Sequence, residues 1–302
     1  KQKPGDGKYW SDKNRAWQYH CSGCHATGVK INYDAKNDKF NTFVTERGIG
    51  CESCHGPGGE HIIAPLGRKG MTIINPARIH DSKRAAQVCG QCHNRGVSVK
   101  DTDIPHGPKH YEFPGGAAGY LPGLLLRDFY NEKPGEWPDG SPKAHRQQYV
   151  DWAKSKHALS GVNCWDCHMP HSKGGMSKGS LKASASELCV TCHKVTQEGI
   201  HGLHATNDCR GCHMPKTSKT AVQRGEAEFD ISSHRFKFVS PAETIKHGGL
   251  AKQPNSCNGC HYHEKDKPED LQQALDAVKD KKRESVGLGK RIPPPATPAK
   301  NK

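Results

Sequence analysis

The sequence is poor in the hydrophobic residues from which a protein core is normally built. Hydrophobic side chains make up 33% of the 302 residues, aromatic side chains make up 7%, and the mean hydropathy is −0.86. A chain of this composition buries too little apolar area to offset the entropy lost on folding. We therefore expect a second, non-protein apolar component to complete the core.

Long apolar runs are also missing. The best candidate, GYLPGLLLRDFY at 119–130, is interrupted by Pro122 and Arg127, and it is shorter than the roughly 20 residues that a membrane-spanning helix needs. The first residues do not show the charged and apolar pattern of a signal peptide. We therefore expect no membrane span.

Spare cysteines are absent as well, because all 14 fall into seven C-x-x-C pairs and a histidine follows each pair. With 20 histidines in 302 residues, chance placement after all seven pairs has a probability on the order of 10^-8. The motifs are Cys21-Cys24-His25, Cys51-Cys54-His55, Cys89-Cys92-His93, Cys164-Cys167-His168, Cys189-Cys192-His193, Cys209-Cys212-His213 and Cys257-Cys260-His261.

C-x-x-C-H is the signature of covalent c-type haem attachment, in which both thiols bond the porphyrin and the histidine binds iron. A zinc site would impose no rule on the residue after the second cysteine. A disulfide would not either, and its loop here would be too short. We therefore expect seven covalent c-type haems that stack to form the core. The fold class follows: mostly irregular, with short α-helices and little β-structure, and with each motif on a short helical turn.

The formal charge of +14 would by itself suggest nucleic acid or a membrane surface. A ferric haem with two histidine ligands and two ionised propionates carries about −1, so seven haems reduce the total to roughly +7. We therefore expect no nucleic-acid partner; the expected partners are redox proteins or extracellular electron acceptors. Because c-type haem is attached outside the cytoplasmic membrane, we expect a periplasmic or extracellular protein whose signal peptide has been removed.

The spacing of the motifs predicts the domain organisation. Motif three begins at residue 89 and motif four at residue 164, and the sequence between them is rich in glycine and proline. We expect a three-motif cluster at 1–100, a connecting segment at 101–160, a four-motif cluster at 161–263, and a helix with a proline-rich tail at 264–302. Apolar residues at helical spacing predict the helix at 268–285, with Leu271, Ala274, Leu275 and Val278 on one face.

Thirteen of the 20 histidines lie outside the motifs, which is enough to supply a second axial ligand to every iron. An iron with two histidine ligands has no open position for a substrate, so it transfers electrons only. This surplus favours electron transfer over catalysis.

Several stretches resemble the multihaem cytochrome module of bacterial proteins, which is often joined to tetratricopeptide repeats. They include 21–61, HALSGVNCWDCHMPHS at 157–172, HGLH at 201–204 and SHRF at 233–236. No tetratricopeptide pattern follows the last motif. The resemblance implies second-ligand roles for His61, His157, His171, His201, His204 and His234, which is one too few for seven irons. The remaining ligand is sought among His20, which could also act across a subunit boundary, His110 and His145.

Two functions follow as hypotheses. The leading one is an electron carrier with a chain of haems, with a filament (nanowire) subunit as a variant. The alternative is a reductase of a small nitrogen or sulfur compound at one five-coordinate haem. CHMPK at 212–216 is similar to a stretch of the pentahaem nitrite reductases, but those enzymes use a lysine in a C-x-x-C-K site, whereas every motif here ends in histidine.

Overall fold

The structure is a computed structural model. It describes residues 3–6, 9, 12, 16–34, 36–99, 119–171, 179–194, 199–202, 208–219, 229–260 and 262–281. Over these ranges the chain is largely irregular and is interrupted by short helices and very short strands. The predicted fold class is confirmed in these terms.

The helices of the described residues are mostly one turn long, and the longest has 14 residues. They are α1 (Trp17–His20), α2 (Ser22–His25), α3 (Glu52–His55), α4 (Gly59–Ile63), α5 (Ser82–Gly90), α6 (Gln148–Ala153), α7 (Lys156–Leu159), α8 (Cys164–Cys167), α9 (Ala185–Val190), α10 (Cys209–His213), α11 (Pro241–Lys246) and α12 (Pro268–Lys281). Turns of 3₁₀-helix cover Leu66–Met71, Pro76–Arg78, Leu126–Asp128 and Gly199–Gly202. Within the described part of the chain, none of these helices combines the length and apolar character needed to cross a membrane.

Within the described ranges, the strands are two or three residues long and pair as four separate two-stranded ladders. They are β1 (Ala26–Thr27), β2 (Tyr33–Asp34), β3 (Lys39–Phe40), β4 (Glu46–Arg47), β5 (Gly96–Ser98), β6 (Tyr130–Glu132), β7 (Lys216–Ser218) and β8 (Ile231–Ser232). The pairs are β1 with β4, β2 with β3, β5 with β6, and β7 with β8. In the antiparallel β5–β6 ladder, Val97 lies opposite Asn131.

Side-chain caps begin three of the helices that carry cysteine motifs. At α5, the Asp81 carboxylate accepts hydrogen bonds from the backbone N–H groups of Lys83 and Arg84. Ser184 and Glu187 form a reciprocal capping box at α9, and the Asp208 carboxylate caps α10. These caps satisfy N–H groups that a one- or two-turn helix cannot satisfy internally, so they fix where each of these helices begins.

The chain divides into two compact units, residues 1–166 with 217–236 and residues 167–216 with 237–302. The division falls within α8, so Cys164 belongs to the first unit, while Cys167 and His168 belong to the second. The four-part organisation predicted from the motif spacing is a different kind of division, by haem content, and stays a prediction.

Two small apolar clusters can be defined by their buried side chains in the described part of the first unit, where partly buried Ala16, Ile31, Tyr33 and Phe40 belong to a further group. One consists of buried Ala86, Trp152 and Ala158 together with partly buried side chains that include Cys164 and Phe236. The other is built from Tyr120, Leu126 and Tyr130. Both clusters are small for a unit of this length, in line with the low hydrophobic content of the sequence.

The second unit has a core in which α11 packs against α12, and buried polar side chains form hydrogen bonds with one another. Helix α12 begins at Pro268, as predicted, and extends to Lys281; residues 282–285 of the predicted helix lie outside the described residues. Leu275 is buried and Leu271 and Val278 are half-buried, but Ala274 is exposed. The prediction was therefore wrong for Ala274, because the buried face is narrower than the apolar periodicity suggested.

Candidate haem sites

The same backbone turn recurs at the cysteine motifs. In motifs one, two, three and five, the carbonyl of the first cysteine accepts hydrogen bonds from the N–H groups of the second cysteine and the histidine, at 2.9–3.3 Å. Motif four begins in α8 and motif six lies in α10. In motif seven Cys260 N donates to Cys257 O at 3.1 Å, while His261 lies outside the described residues. Residues three and four apart on a helical turn share one face, so two thiols and an imidazole can serve one ring.

The 14 cysteines are all among the described residues, and no disulfide bond joins any of them. Across the same described ranges, the structure holds no group of three or more Cys, His, Asp or Glu placed to bind a metal ion. The zinc alternative requires such groups, because a structural zinc ion takes four ligands.

Two motif histidines are held in the tautomer that binds a metal through Nε2. His55 Nδ1 lies 2.7 Å from the carbonyl oxygen of Ile74, and His168 Nδ1 lies 2.8 Å from that of Gly179. A carbonyl oxygen only accepts, so Nδ1 carries the proton and Nε2 keeps its lone pair. The residues present therefore fit an iron ligated through Nε2.

An apolar cleft of about 350 Å³ lies beside His55. Its wall includes Pro57, Met71, Ile74 and Leu121. Nearby apolar side chains of α4 and the following turn are largely exposed: Ile62 at 76%, Ile63 at 83% and Leu66 at 88%. A porphyrin attached at Cys51 and Cys54 would cover these exposed apolar side chains. It would supply the apolar component that the composition predicts to be missing from the core.

Two of the predicted second ligands share the tautomer of the motif histidines. His61 Nδ1 lies 2.9 Å from the Lys69 carbonyl oxygen and 3.3 Å from Thr72 Oγ1. His234 Nδ1 lies 3.1 Å from the Ser232 carbonyl oxygen. In both cases the proton is on Nδ1, so the lone pair of the neutral imidazole is on Nε2. His263, which was not in the predicted set, has its Nδ1 2.8 Å from the carboxylate of Asp266 and adopts the same form.

Phe236 packs between two predicted second ligands, His157 and His234. Its ring centre is 4.1 Å from that of His157 and 6.0 Å from that of His234, edge to face in both cases. The backbone φ of Phe236 is +52°, a conformation that is costly for a bulky side chain. Phe236 therefore holds two histidines from distant segments in fixed relation to each other.

His201 and His213 form a close imidazole pair in the second unit. Their ring centres are 6.2 Å apart and their planes differ by 26°. Partial burial and the nearby charges of His201 and His193 lower the pKa of His213, which keeps its imidazole neutral. His213 is the histidine of motif six, and His201 is a predicted second ligand.

Thiols of different motifs lie next to each other within each unit. In the first unit, hydrogen bonds join the thiol of Cys24 to that of Cys92 and the thiol of Cys89 to that of Cys164. These bonds and burial raise the pKa values of Cys89 and Cys92. In the second unit, Cys189 interacts with Cys209. The attachment points are therefore grouped rather than spread over the surface.

Hydrogen bonds from residues within or beside the motifs tie one motif to the next. Gln91 Nε2, inside motif three, donates to the Ser53 carbonyl of motif two at 2.7 Å. Asn163 Nδ2, just before motif four, donates to the Ser82 carbonyl at the start of α5 at 3.0 Å. Ser256 Oγ, just before motif seven, donates to the Cys212 carbonyl at 2.8 Å. The motif pattern alone did not predict these links, because they join residues that are far apart in the sequence.

The remaining predicted ligands have different outcomes. His171 is exposed, as are the motif histidines His25, His93 and His193. His110, His204 and the side chain of His20 lie outside the described residues, as does the proline-rich tail at 282–302. His145 is engaged differently from the others, because its Nδ1 accepts a hydrogen bond from Arg95 Nη1 at 3.2 Å.

Comparison with protein families decides the classification. The model of the family described as cytochrome c552 matches residues 8–202, a range that contains the first five motifs. The chain belongs to the cytochrome c552 family. As in the multihaem cytochromes, the cofactor of this family is covalently bound c-type haem, which agrees with the motif geometry above.

Curated relatives of this cytochrome c552 chain are distant and longer. The dissimilatory sulfite reductase MccA of Wolinella succinogenes is 26% identical over 284 residues, covering 80% of this chain and 35% of MccA. Cytochrome c-552 of Bacteroides fragilis is 27% identical over 271 residues, covering 72% of this chain and 52% of that protein. The multihaem cytochrome MtrA of Shewanella baltica is 29% identical over 150 residues, covering 48% and 42%. The chain thus spans about a third to a half of their lengths.

Among solved structures, the outer cell wall cytochrome OcwA has a similar fold. The TM-score is 0.62 with 26% identity, and the match covers 86% of this chain and 63% of OcwA. The fold of this chain is therefore similar to that of a cytochrome of known structure.

Proposed function

We propose that this chain is a heptahaem cytochrome that carries electrons through a chain of haems between redox partners in the cell envelope or outside the cell. The observation that carries the proposal is the recurring C-x-x-C-H turn, whose thiols and imidazole share one face in motif after motif. The names of MtrA and OcwA, a multihaem cytochrome and an outer cell wall cytochrome, support the same class of function.

The attachment residues follow from the motifs. The 14 cysteines would hold seven haems in thioether linkage, and the seven histidines that follow the pairs would bind the irons. Bound haem supplies one-electron chemistry between ferric and ferrous iron. The carbonyls of Ile74 and Gly179 hold the imidazoles of His55 and His168 in the tautomer that carries the lone pair on Nε2.

The second axial ligands would be the six histidines implied by the resemblance. Support is strongest for His201, because two imidazoles on opposite sides of one metal have ring centres roughly 6 Å apart, given metal–nitrogen bonds of about 2 Å. The 6.2 Å between His201 and His213 fits this arrangement. The Nδ1 bonds of His61 and His234 support them in the same role. His263 joins His20 and His110 as a candidate for the seventh ligand, because Asp266 fixes its tautomer.

A second candidate function has one observation in its favour. The relative that covers 80% of this chain is named a dissimilatory sulfite reductase. A reductase needs one iron with an open position, so this function requires that at least one of the seven second ligands be missing.

The experiment that separates the two functions uses the haem-loaded protein reduced anaerobically. We expect rapid reoxidation by soluble ferric complexes or an electrode, and no catalytic turnover with sulfite, nitrite or hydroxylamine. Multiple turnovers of any of these three compounds per protein would establish the reductase and overturn the carrier proposal. Electron micrographs of the same sample test the filament variant, which requires ordered polymers.

A further inference from the structure

Three basic side chains of the first unit, those of Arg95, His145 and Arg146, lie near Cys24, the second cysteine of motif one. Arg95 lies two residues after His93 of motif three, and His145 and Arg146 precede α6. Arg95 Nη1 donates a hydrogen bond to His145 Nδ1 at 3.2 Å. Arg146 is close enough to Cys24 to lower the pKa of its thiol, an effect dominated by the hydrogen bond with Cys92.

The bond from Arg95 decides the protonation of His145. A guanidinium has no acceptor atom, so Nδ1 of His145 must accept, and the proton of the neutral imidazole is on Nε2. His145 therefore presents an N–H donor, whereas His55, His61 and His168 present a lone pair. We infer that His145 binds an acceptor and is not a ligand of iron.

Arg146 has a buried donor that nothing in the described residues satisfies. Its Nε is buried and has no hydrogen-bond partner, and its backbone φ is +60°. Leaving a buried charged donor unsatisfied is costly, and so is a positive φ in a residue with a Cβ. Such costs are typical of a binding site whose ligand completes the hydrogen bonding.

The carboxylate of Glu132 is already engaged by another side chain. Glu132 interacts electrostatically with neighbouring Tyr130, and its Oε1 accepts a hydrogen bond from Asn94 Nδ2 at 2.9 Å. Arg146 also lies near Tyr130. The site thus combines two guanidiniums and an imidazole N–H with one carboxylate that is already engaged, which is a donor set for an oxyanion.

We propose that Arg95, His145 and Arg146 form a binding site for an oxyanion of the carboxylate type next to Cys24. The anion has two possible sources, a propionate of a haem attached nearby or a free oxyanion from solution. The propionate source rests on the proposed function, whereas the free-anion source does not.

The test compares Arg146→Gln with Arg127→Gln, a control arginine of the same unit whose side chain is 81% exposed. Haem content is measured by intact mass, the midpoint potentials by spectroelectrochemistry, and anion binding by titration with sodium formate against sodium chloride of equal ionic strength. A wild-type haem content below seven would count against the proposed function, independently of the formate result.

If a propionate occupies the site, Arg146→Gln keeps the wild-type haem content and lowers the midpoint potential of one haem, because the lost positive charge no longer favours the reduced state. Formate then has no specific effect. If a free oxyanion occupies the site, formate gives a saturable spectral change in the wild type and in Arg127→Gln that is lost in Arg146→Gln. Unchanged potentials together with no formate response would overturn the proposal.

If Arg146→Gln fails to fold, His145 provides a second test. His145→Gln retains a side-chain N–H donor, so it should match the wild type, whereas His145→Leu should show the shift expected for Arg146→Gln. Equal behaviour of these two variants would contradict the proposed donor role of His145. If His145 were an iron ligand, both variants would instead show a new high-spin signal in EPR spectra.

Discussion

The imidazoles of His201 and His213 lie with their ring centres 6.2 Å apart in the second unit. They come from different places in the sequence, a 3₁₀ turn at Gly199–Gly202 and helix α10. We propose that His201 and His213 would together hold the iron of the haem attached at motif six.

His201→Ala should therefore convert one haem from low-spin to high-spin without loss of haem, because the two thioether bonds and His213 remain. EPR spectra of the oxidised protein measure this change. His247→Ala is the matched control, because His247 lies in the same unit and has no proposed ligand role. Its Nε2 lies 3.5 Å from Oε2 of Glu243. A low-spin spectrum for His201→Ala would remove His201 from the ligand set.

Gly90, inside motif three, has no room for a side chain. A Cβ built there would lie 2.7 Å from Cγ of Tyr149, whereas a Cβ at Gly211, the residue before the second cysteine of motif six, would meet nothing within 4 Å. Gly90→Ala should lower the free energy of unfolding by about 1–3 kcal/mol, as overpacking usually does. Gly211→Ala should be neutral.

Thermal unfolding of the two alanine variants, followed by circular dichroism and haem absorbance, measures the difference. Equal stabilities for both variants would mean that Tyr149 moves aside without cost. The packing of α6 on α5 would then be looser than the structure shows.

Asp151 should make the stability dependent on pH. It is only 3% exposed, and burial raises its pKa to about 7 despite the hydrogen bond from Gln147 and the charge of Arg235. The folded state thus holds this proton up to a higher pH than the unfolded state does. The contribution of Asp151 to the free energy of unfolding is fully present below about pH 4. It is lost as the pH rises through about 7, and the loss is up to about 4 kcal/mol for a shift of about three pKa units.

Asp151→Asn should remove this decline, because the amide is neutral throughout the range. Melting temperatures between pH 4 and pH 8 measure it, with Asp128→Asn, an exposed carboxylate of the same unit, as the control for charge. A decline that persists unchanged in Asp151→Asn would assign the pH dependence to other groups.

The local part of the architecture could be predicted from the sequence. The C-x-x-C-H motif fixes a helical turn because its ligands are three and four residues apart, and the apolar spacing at 268–281 predicts α12. Helix and strand lengths follow from the frequent glycines and prolines. These features depend on residues close together in the chain.

Contacts between distant residues could not be predicted in this way. Asn163 and Ser82 are 81 residues apart and Ser256 and Cys212 are 44 apart, so no periodicity connects them. The same holds for His145, whose role depends on Arg95, 50 residues away. In composition and spacing, His145 resembles the other histidines outside the motifs. Only the hydrogen bond that it accepts from Arg95 distinguishes it.

We propose that this chain holds seven c-type haems and that two histidines bind each iron. Low-temperature EPR spectroscopy of the air-oxidised protein, with haem quantified on the same sample, is the decisive test. We expect seven haems per chain and only low-spin ferric signals. A high-spin signal equivalent to one haem would contradict it and would identify an open iron of the kind that a reductase requires.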